Sequence, residues 1–160
     1  MNRYRSLILF LFVFILVGCG EAKENSGAAE QFITEKGYTI VKKEKETYEY
    51  TLTKSQLTEM PYIQYWSVQS EAPDVYIGKQ IRTSKFIVNH HPLDELSDQA
   101  KKQTVIYVME SGDDVIGGYS IPDYKELHMG WVYSVDGETL EEMTGMSYPG
   151  WQEEWNKAYK

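Results

Sequence analysis

Thr104-Val105-Ile106-Tyr107-Val108-Met109 and Val115-Ile116-Gly117-Gly118-Tyr119-Ser120-Ile121 flank the turn sequence Ser111-Gly112-Asp113-Asp114. Two runs of β-branched and aromatic residues joined by Gly and Asp make a strong β-hairpin signal. Upstream, Ile81 to Val88 has the same character. So does Tyr62-Ile63-Gln64-Tyr65-Trp66-Ser67-Val68, and a break at Pro73-Asp74 separates the two. Tyr38-Thr39-Ile40-Val41 and Thr47-Tyr48-Glu49-Tyr50-Thr51-Leu52 read as strands, and the charged Lys42-Lys43-Glu44-Lys45-Glu46 between them predicts a further hairpin. Downstream, Trp131-Val132-Tyr133-Ser134-Val135 is a strand closed by Asp136-Gly137.

Helical periodicity brackets these strands. Ala29, Phe32, Ile33 and Lys36 share one face, with Gly37 as the stop. Thr53-Lys54-Ser55-Gln56 fits a capping box that opens a short helix through Leu57 and Met60, ended by Pro61. Residues 94–103 are polar and loop-like or helical. Thr139-Leu140-Glu141-Glu142 is a second capping box with Gly145 as its stop, and Ser147 caps a last helix striped by Tyr148, Trp151, Trp155 and Tyr159. Helices flanking hairpin-like strands predict a single α+β domain with a mainly antiparallel sheet.

The chain has 160 residues, 16 basic and 24 acidic, for a net charge of −8. That is the length of one domain. The acidic balance argues against a nucleic-acid partner, whose backbone demands basic patches. A single cysteine excludes an intrachain disulfide and a cysteine-based zinc cluster.

That cysteine closes the segment that speaks to location. Arg3 and Arg5 precede an unbroken apolar run, Leu7 to Val17. The run is too short for the ~20 residues that span a bilayer but suits the apolar region of an export signal. Leu16-Val17-Gly18-Cys19 then resembles the lipobox of bacterial membrane lipoproteins. The resemblance implies a diacylglyceryl group on the Cys19 thiol, cleavage between Gly18 and Cys19, and a mature chain that begins at Cys19. The alternatives are an ordinary secretory signal with an incidental cysteine, or an uncleaved helix. Loss of residues 1–18 removes two arginines, leaving the mature chain still more acidic. Residues 19–27 have no large apolar side chain and form a lipidated tether, which as a flexible coil spans about 15 Å. Residues 28–160 form the extracytoplasmic domain.

No G-x-S-x-G, H-E-x-x-H or P-loop pattern occurs in the sequence. Four features remain. His90-His91, with Asp94 after a bend at Pro92, reads either as a metal site or as a solvated strand end. Asp113-Asp114 reads as turn chemistry or as a calcium contact. Gly117-Gly118-Tyr119 marks a bulge, packing against an aromatic, or a close ligand contact. Trp131, Tyr133, Tyr148, Trp151 and Trp155 either grip a partner or a sugar or pack the last helix on the sheet.

Gly117-Gly118-Tyr119-Ser120, the run from Val132 to Met146 and Trp151 resemble small lipoproteins of endospore-forming Gram-positive bacteria. That resemblance implies no catalytic or ligand residues. The expectation is a lipid-anchored, non-enzymatic binding or accessory module at the outer face of the cytoplasmic membrane, without cofactor. It meets the membrane through Cys19 and an envelope protein or wall polymer through Trp131, Tyr133, Trp151 and Trp155. The competing readings are a hydrolase with a carboxylate pair, and metal capture by His90, His91 and His128.

Overall fold

A computed structural model describes residues 27–126 and 130–160. Residues 1–26, with the lipobox, Cys19 and most of the tether, lie outside the described residues, as does His128. Helix α1 (Ala28–Glu35) leads into β1 (Thr39–Thr51), a 3-10 turn (Ser55–Thr58) and α2 (Tyr62–Ser67). A second 3-10 turn (Pro73–Tyr76) precedes β2 (Gln80–Asn89), and a third (Pro92–Glu95) precedes the hairpin of β3 (Ala100–Ser111) and β4 (Asp114–Tyr124). Strand β5 (Tyr133–Ser134), α3 (Leu140–Thr144) and α4 (Tyr148–Tyr159) finish the chain. The strands form one five-stranded sheet in the order β1-β2-β3-β4-β5, each pair antiparallel. The domain is of the α+β class.

Both faces of the sheet are covered. Phe86 and Val88 of β2 and Ile106 and Val108 of β3 pack against Ala29 and Ile33 of α1. On the other face Ile81, Met109 and Tyr119 join Leu52, Leu57, Trp66 and Tyr159 in a second cluster. Strand β3, central and covered on both sides, is therefore buried almost continuously from Thr104 to Glu110, where a one-sided strand would alternate. Glu110 is buried within that stretch. It accepts hydrogen bonds from Arg82 Nε at 3.3 Å, Arg82 Nη2 at 3.1 Å and Ser84 Oγ at 3.3 Å. The guanidinium fork of Arg82 suits a carboxylate that must be paired to lie in the sheet.

Two expected elements differ. The charged run Lys42–Glu46 is no hairpin turn: β1 is one strand pairing with β2 along its length, with register shifts between Ile40 and Lys42 and between Lys43 and Thr47. Two of its lysines are paired, Lys43 with Glu30 of α1 at 2.8 Å and Lys42 with Glu44 within the run at 2.9 Å. Charges and bulges on an edge strand also oppose pairing with a further chain. The second difference is Tyr62–Val68, expected as a strand and folded as α2. Ile63 and Trp66 are buried three positions apart, on one helical face. Packing of that pair overrides the strand preference of aromatic residues, which is weak outside its context.

Smaller adjustments follow the same logic. Only Tyr133 and Ser134 of the expected 131–135 strand pair with β4, while Val132 and Val135 enter the two clusters as buried side chains. Gly37, with φ +86°, ends α1. Thr139 and Glu142 form the expected capping box: Glu142 N–H donates to Thr139 Oγ1 at 3.2 Å, and Thr139 N–H to Glu142 Oε2 at 2.7 Å. Gly145 stops that helix in the left-handed region, φ +67°.

Candidate functional site

The β3–β4 hairpin builds one wall of a cleft. Between Met109↔Gly117 and Glu110↔Val115 the register shifts by one residue, leaving Ile116 as a bulge. Gly117 has φ +131°, a conformation L side chains rarely adopt. At Gly118 a Cβ would lie 2.3 Å from the Tyr107 carbonyl oxygen, so only glycine fits. The Gln69 side chain, projecting from just after α2, completes this corner. Its Oε1 accepts from Gly118 N–H and its Nε2 donates to Gly118 O, both at 2.9 Å.

The bulge sets Tyr119 directly opposite Tyr107. Their rings stack at 4.7 Å and 12°, and Tyr65 of α2 stacks on Tyr119 at 4.2 Å and 4°. This three-ring ladder lines a cleft of about 690 Å³, shared with Tyr124, Trp131, Tyr133 and Tyr148. Leu140 and Glu141, placed by the Thr139 cap, form its α3 side. The volume and the mixture of apolar rings with few polar groups match small-ligand and peptide sites.

The electrostatics are one-sided. Among the described residues, Glu141 is the sole charged one that lines the cleft, and no Lys, Arg or His does. Burial pushes the Tyr119 hydroxyl far up, reinforced by Tyr65, and burial also raises Tyr107 and Tyr133. All three therefore stay protonated, as donors, at physiological pH. The Tyr107 and Tyr133 hydroxyls are not buried and have no hydrogen-bond partner among the described residues. The Trp131 Nε1 is buried and likewise unpartnered among the described residues. Its indole meets Tyr148 edge-on at 5.1 Å and Trp151 at 6.5 Å. An unpaired buried donor costs about 1–3 kcal/mol, a cost that an acceptor brought to it would remove.

The residues singled out from sequence divide between cleft and core. Trp131 and Tyr133 line the cleft. Trp151 is 4% exposed, packed with Ile63 and Leu140, and Trp155 is half-buried with its Nε1 donating to the Leu57 carbonyl at 2.6 Å. These two stand behind the cleft as packing: Trp151 lies with the helical side chains Ile63 and Leu140, and Trp155 packs against the cluster that joins Leu57 and Tyr159 to Ile81, Met109 and Tyr119 of the sheet. Among the cleft residues that the sequence did not single out as site candidates are Tyr65, Tyr107, Tyr124 and Glu141.

His91 is bound into the fold through its ring. Leu93 N–H donates to His91 Nδ1 at 3.1 Å, which fixes the proton on Nε2, and Nε2 donates to the Val135 carbonyl at 2.8 Å. Asp94, expected as a third ligand, accepts from His91 N–H at 3.1 Å and from Thr104 Oγ1 at 2.7 Å. Both His91 nitrogens are thus committed, and burial lowers its pKa below the ordinary imidazole range. His90 is exposed with φ +67°, its Nδ1 3.1 Å from Thr39 Oγ1. No group of three or more His, Cys, Asp and Glu residues that could hold a metal ion occurs among the described residues. Asp113 and Asp114 sit at the hairpin tip, where Gly112 supplies the positive φ of the turn. No helix among the described residues is long and apolar enough to cross a membrane.

No family model, curated protein or solved structure matches the chain.

Proposed function

We propose that the protein is a lipoprotein anchored through Cys19, and that residues 28–160 form a non-enzymatic binding module whose ligand site is the aromatic cleft. The anchoring half rests on Leu16-Val17-Gly18-Cys19 and the apolar run before it. Two acyl chains on one cysteine provide the two signals that stable attachment requires. The acidic domain is repelled by an anionic leaflet and stands off it on its tether.

The observation that carries the binding half is the cleft itself: a space of about 690 Å³ walled by aromatic rings, with the hydroxyls of Tyr107 and Tyr133 uncommitted. Hydrolysis by a carboxylate pair needs two acids across a substrate, and Glu141 is the sole acid among the described residues that line the cleft. Metal capture through His91 would require breaking both of its ring hydrogen bonds.

Two experiments test the two halves separately. Cys19→Ala should abolish labelling by radioactive fatty acid, and undiminished labelling would end the anchoring proposal. A photo-crosslinking residue in place of Glu141 should capture a saturable ligand in native membranes, whereas one in place of the exposed Glu153 should not. Equal capture from both positions, or none from either, would remove the binding assignment.

A further inference from the structure

We infer that the cleft takes a proline-rich peptide segment flanked by a basic residue. This rests on the binding-module reading above and adds the class of ligand. Three observations converge on it.

The first is the donor and acceptor inventory. Among the described lining residues, the open side-chain groups are the Tyr107 and Tyr133 hydroxyls, both available as donors, and the exposed Glu141 carboxylate, an acceptor. Open side-chain acceptors are few: Thr139 Oγ1 is already used twice by Glu142 and Gln64 Nε2 donates to the Gly130 carbonyl, which leaves Gln64 Oε1 and the Glu141 carboxylate among the described lining residues. A sugar brings several hydroxyls per ring, each a donor that needs an acceptor on desolvation. A polyproline II segment has no internal hydrogen bonds and, at its prolines, no N–H at all. It presents carbonyl acceptors to donors, which is the complement of this cleft.

The second observation is shape. The lining is a continuous set of rings, from the Tyr65–Tyr119–Tyr107 ladder to Trp131. Aromatic-lined grooves are the usual docking surface for preformed polyproline II segments, which lose little entropy on binding. The third is charge. Glu141 is exposed, its carboxylate has no hydrogen-bond or ion-pair partner among the described residues, and it is the one charged side chain among the described residues that line the cleft, in a chain carrying −8. Phosphorylated or acidic ligands are disfavoured there and a flanking Lys or Arg is favoured. Trp131 Nε1 is buried at present, so a carbonyl reaches it only if the indole edge turns toward the cleft.

The test uses the full chain in detergent micelles and a dye-labelled ten-residue proline-rich peptide ending in lysine, followed by fluorescence anisotropy. Saturable binding is expected, weaker for the same peptide ending in glutamate. Tyr133→Phe keeps the ring and removes one donor; it should weaken binding about 2- to 10-fold, the worth of one neutral hydrogen bond. Glu141→Gln should erase the preference for lysine while retaining binding. Unchanged circular dichroism and unfolding midpoint guard against misfolding in both variants. Absence of saturable peptide binding overturns the inference. Should a neutral chito-oligosaccharide bind instead, and lose affinity in Tyr133→Phe, the ligand class is wrong while the binding module stands. Should neither bind, and the Glu141 crosslinker also capture nothing, the binding module falls with it.

Discussion

Trp155 offers the sharpest check on how the C-terminal helix is held. Its ring lies 5.0 Å from Trp151 and 4.6 Å from Tyr159, and its Nε1 donates to the Leu57 carbonyl at 2.6 Å. That bond ties α4 to the 3-10 turn Ser55–Thr58, 98 positions earlier in the chain. Trp155→Ala removes a half-buried aromatic, at the lower end of the range for such deletions, about 3 kcal/mol. It also leaves the Leu57 carbonyl without its donor, adding about 1 kcal/mol. The combined loss of ~4 kcal/mol is a large part of the ~5–15 kcal/mol that holds a domain folded. Trp155→Phe keeps one six-membered ring and loses the N–H with the rest of the indole, so it should cost about 2 kcal/mol. Urea unfolding followed by circular dichroism reads both. With a slope of about 2 kcal/mol per molar, the Ala variant should unfold about 2 M earlier. A midpoint for Trp155→Ala within about 0.5 kcal/mol of the parent would refute the docking of α4. Equal losses for Phe and Ala would refute the division between ring and hydrogen bond.

Trp131→Phe provides the contrast: its N–H is unpartnered among the described residues, so urea unfolding should show a loss of about 1 kcal/mol or less. Gly118→Ala drives a methyl onto the Tyr107 carbonyl, and thermal unfolding should record a loss of about 1–3 kcal/mol; an unaltered midpoint would mean the strands part easily. For His91, burial lowers the folded-state pKa below its value in the unfolded chain, so the unfolded state takes the proton first. Stability is therefore full above the ordinary imidazole range and declines as pH falls through it. His91→Asn, which still offers an acceptor to Leu93 N–H, should show a flatter decline between pH 7 and 5.5, and identical slopes would refute the assignment.

What the sequence disclosed depended on whether the determining contact was local. The β3–β4 hairpin, the Thr139–Glu142 cap and the Gly145 stop are written in a few adjacent residues, and each was readable. Lys42–Glu46 resembled a turn because its charges are tolerated for a distant reason, the edge position of β1 beside Glu30 and β2. Tyr62–Val68 has strand composition and helical burial, and the choice is made by partners far away, Leu140 and Trp151 for Ile63 and Tyr50 for Trp66. The Trp stripe of α4 was legible as a stripe, but its substrate, the Leu57 turn and the Asp74 carboxylate that accepts from Tyr159 at 2.8 Å, was not. Of the cleft, Trp131, Tyr133 and Tyr148 could be picked out by composition. Tyr119 stands out beside the glycine pair, but Tyr65 and Tyr107 do not, because their meeting with it depends on register.

That register is where local chemistry and the site join. Ser111↔Asp114 closes the hairpin around Gly112 and Asp113. Continued without interruption, the ladder would set Gly118 opposite Tyr107 and Tyr119 opposite Ile106. Residues paired across an antiparallel ladder share a face, and a slip of one residue reverses the face of each side chain beyond it. Tyr119 would then point with Ile106 toward α1, and the Tyr65–Tyr119–Tyr107 ladder could not form. The extra residue at Ile116 reverses this, and Gly117 supplies the positive φ at that point. Gly118 meanwhile accepts the close approach of the Tyr107 carbonyl, and the Gln69 amide takes the N–H and C=O of Gly118 just before β5 begins pairing at Tyr119. The two adjacent glycines that interrupt a strand in the sequence are thus what turns a tyrosine into the cleft. An ordinary ladder there would leave a well-packed sheet with no aromatic site on it.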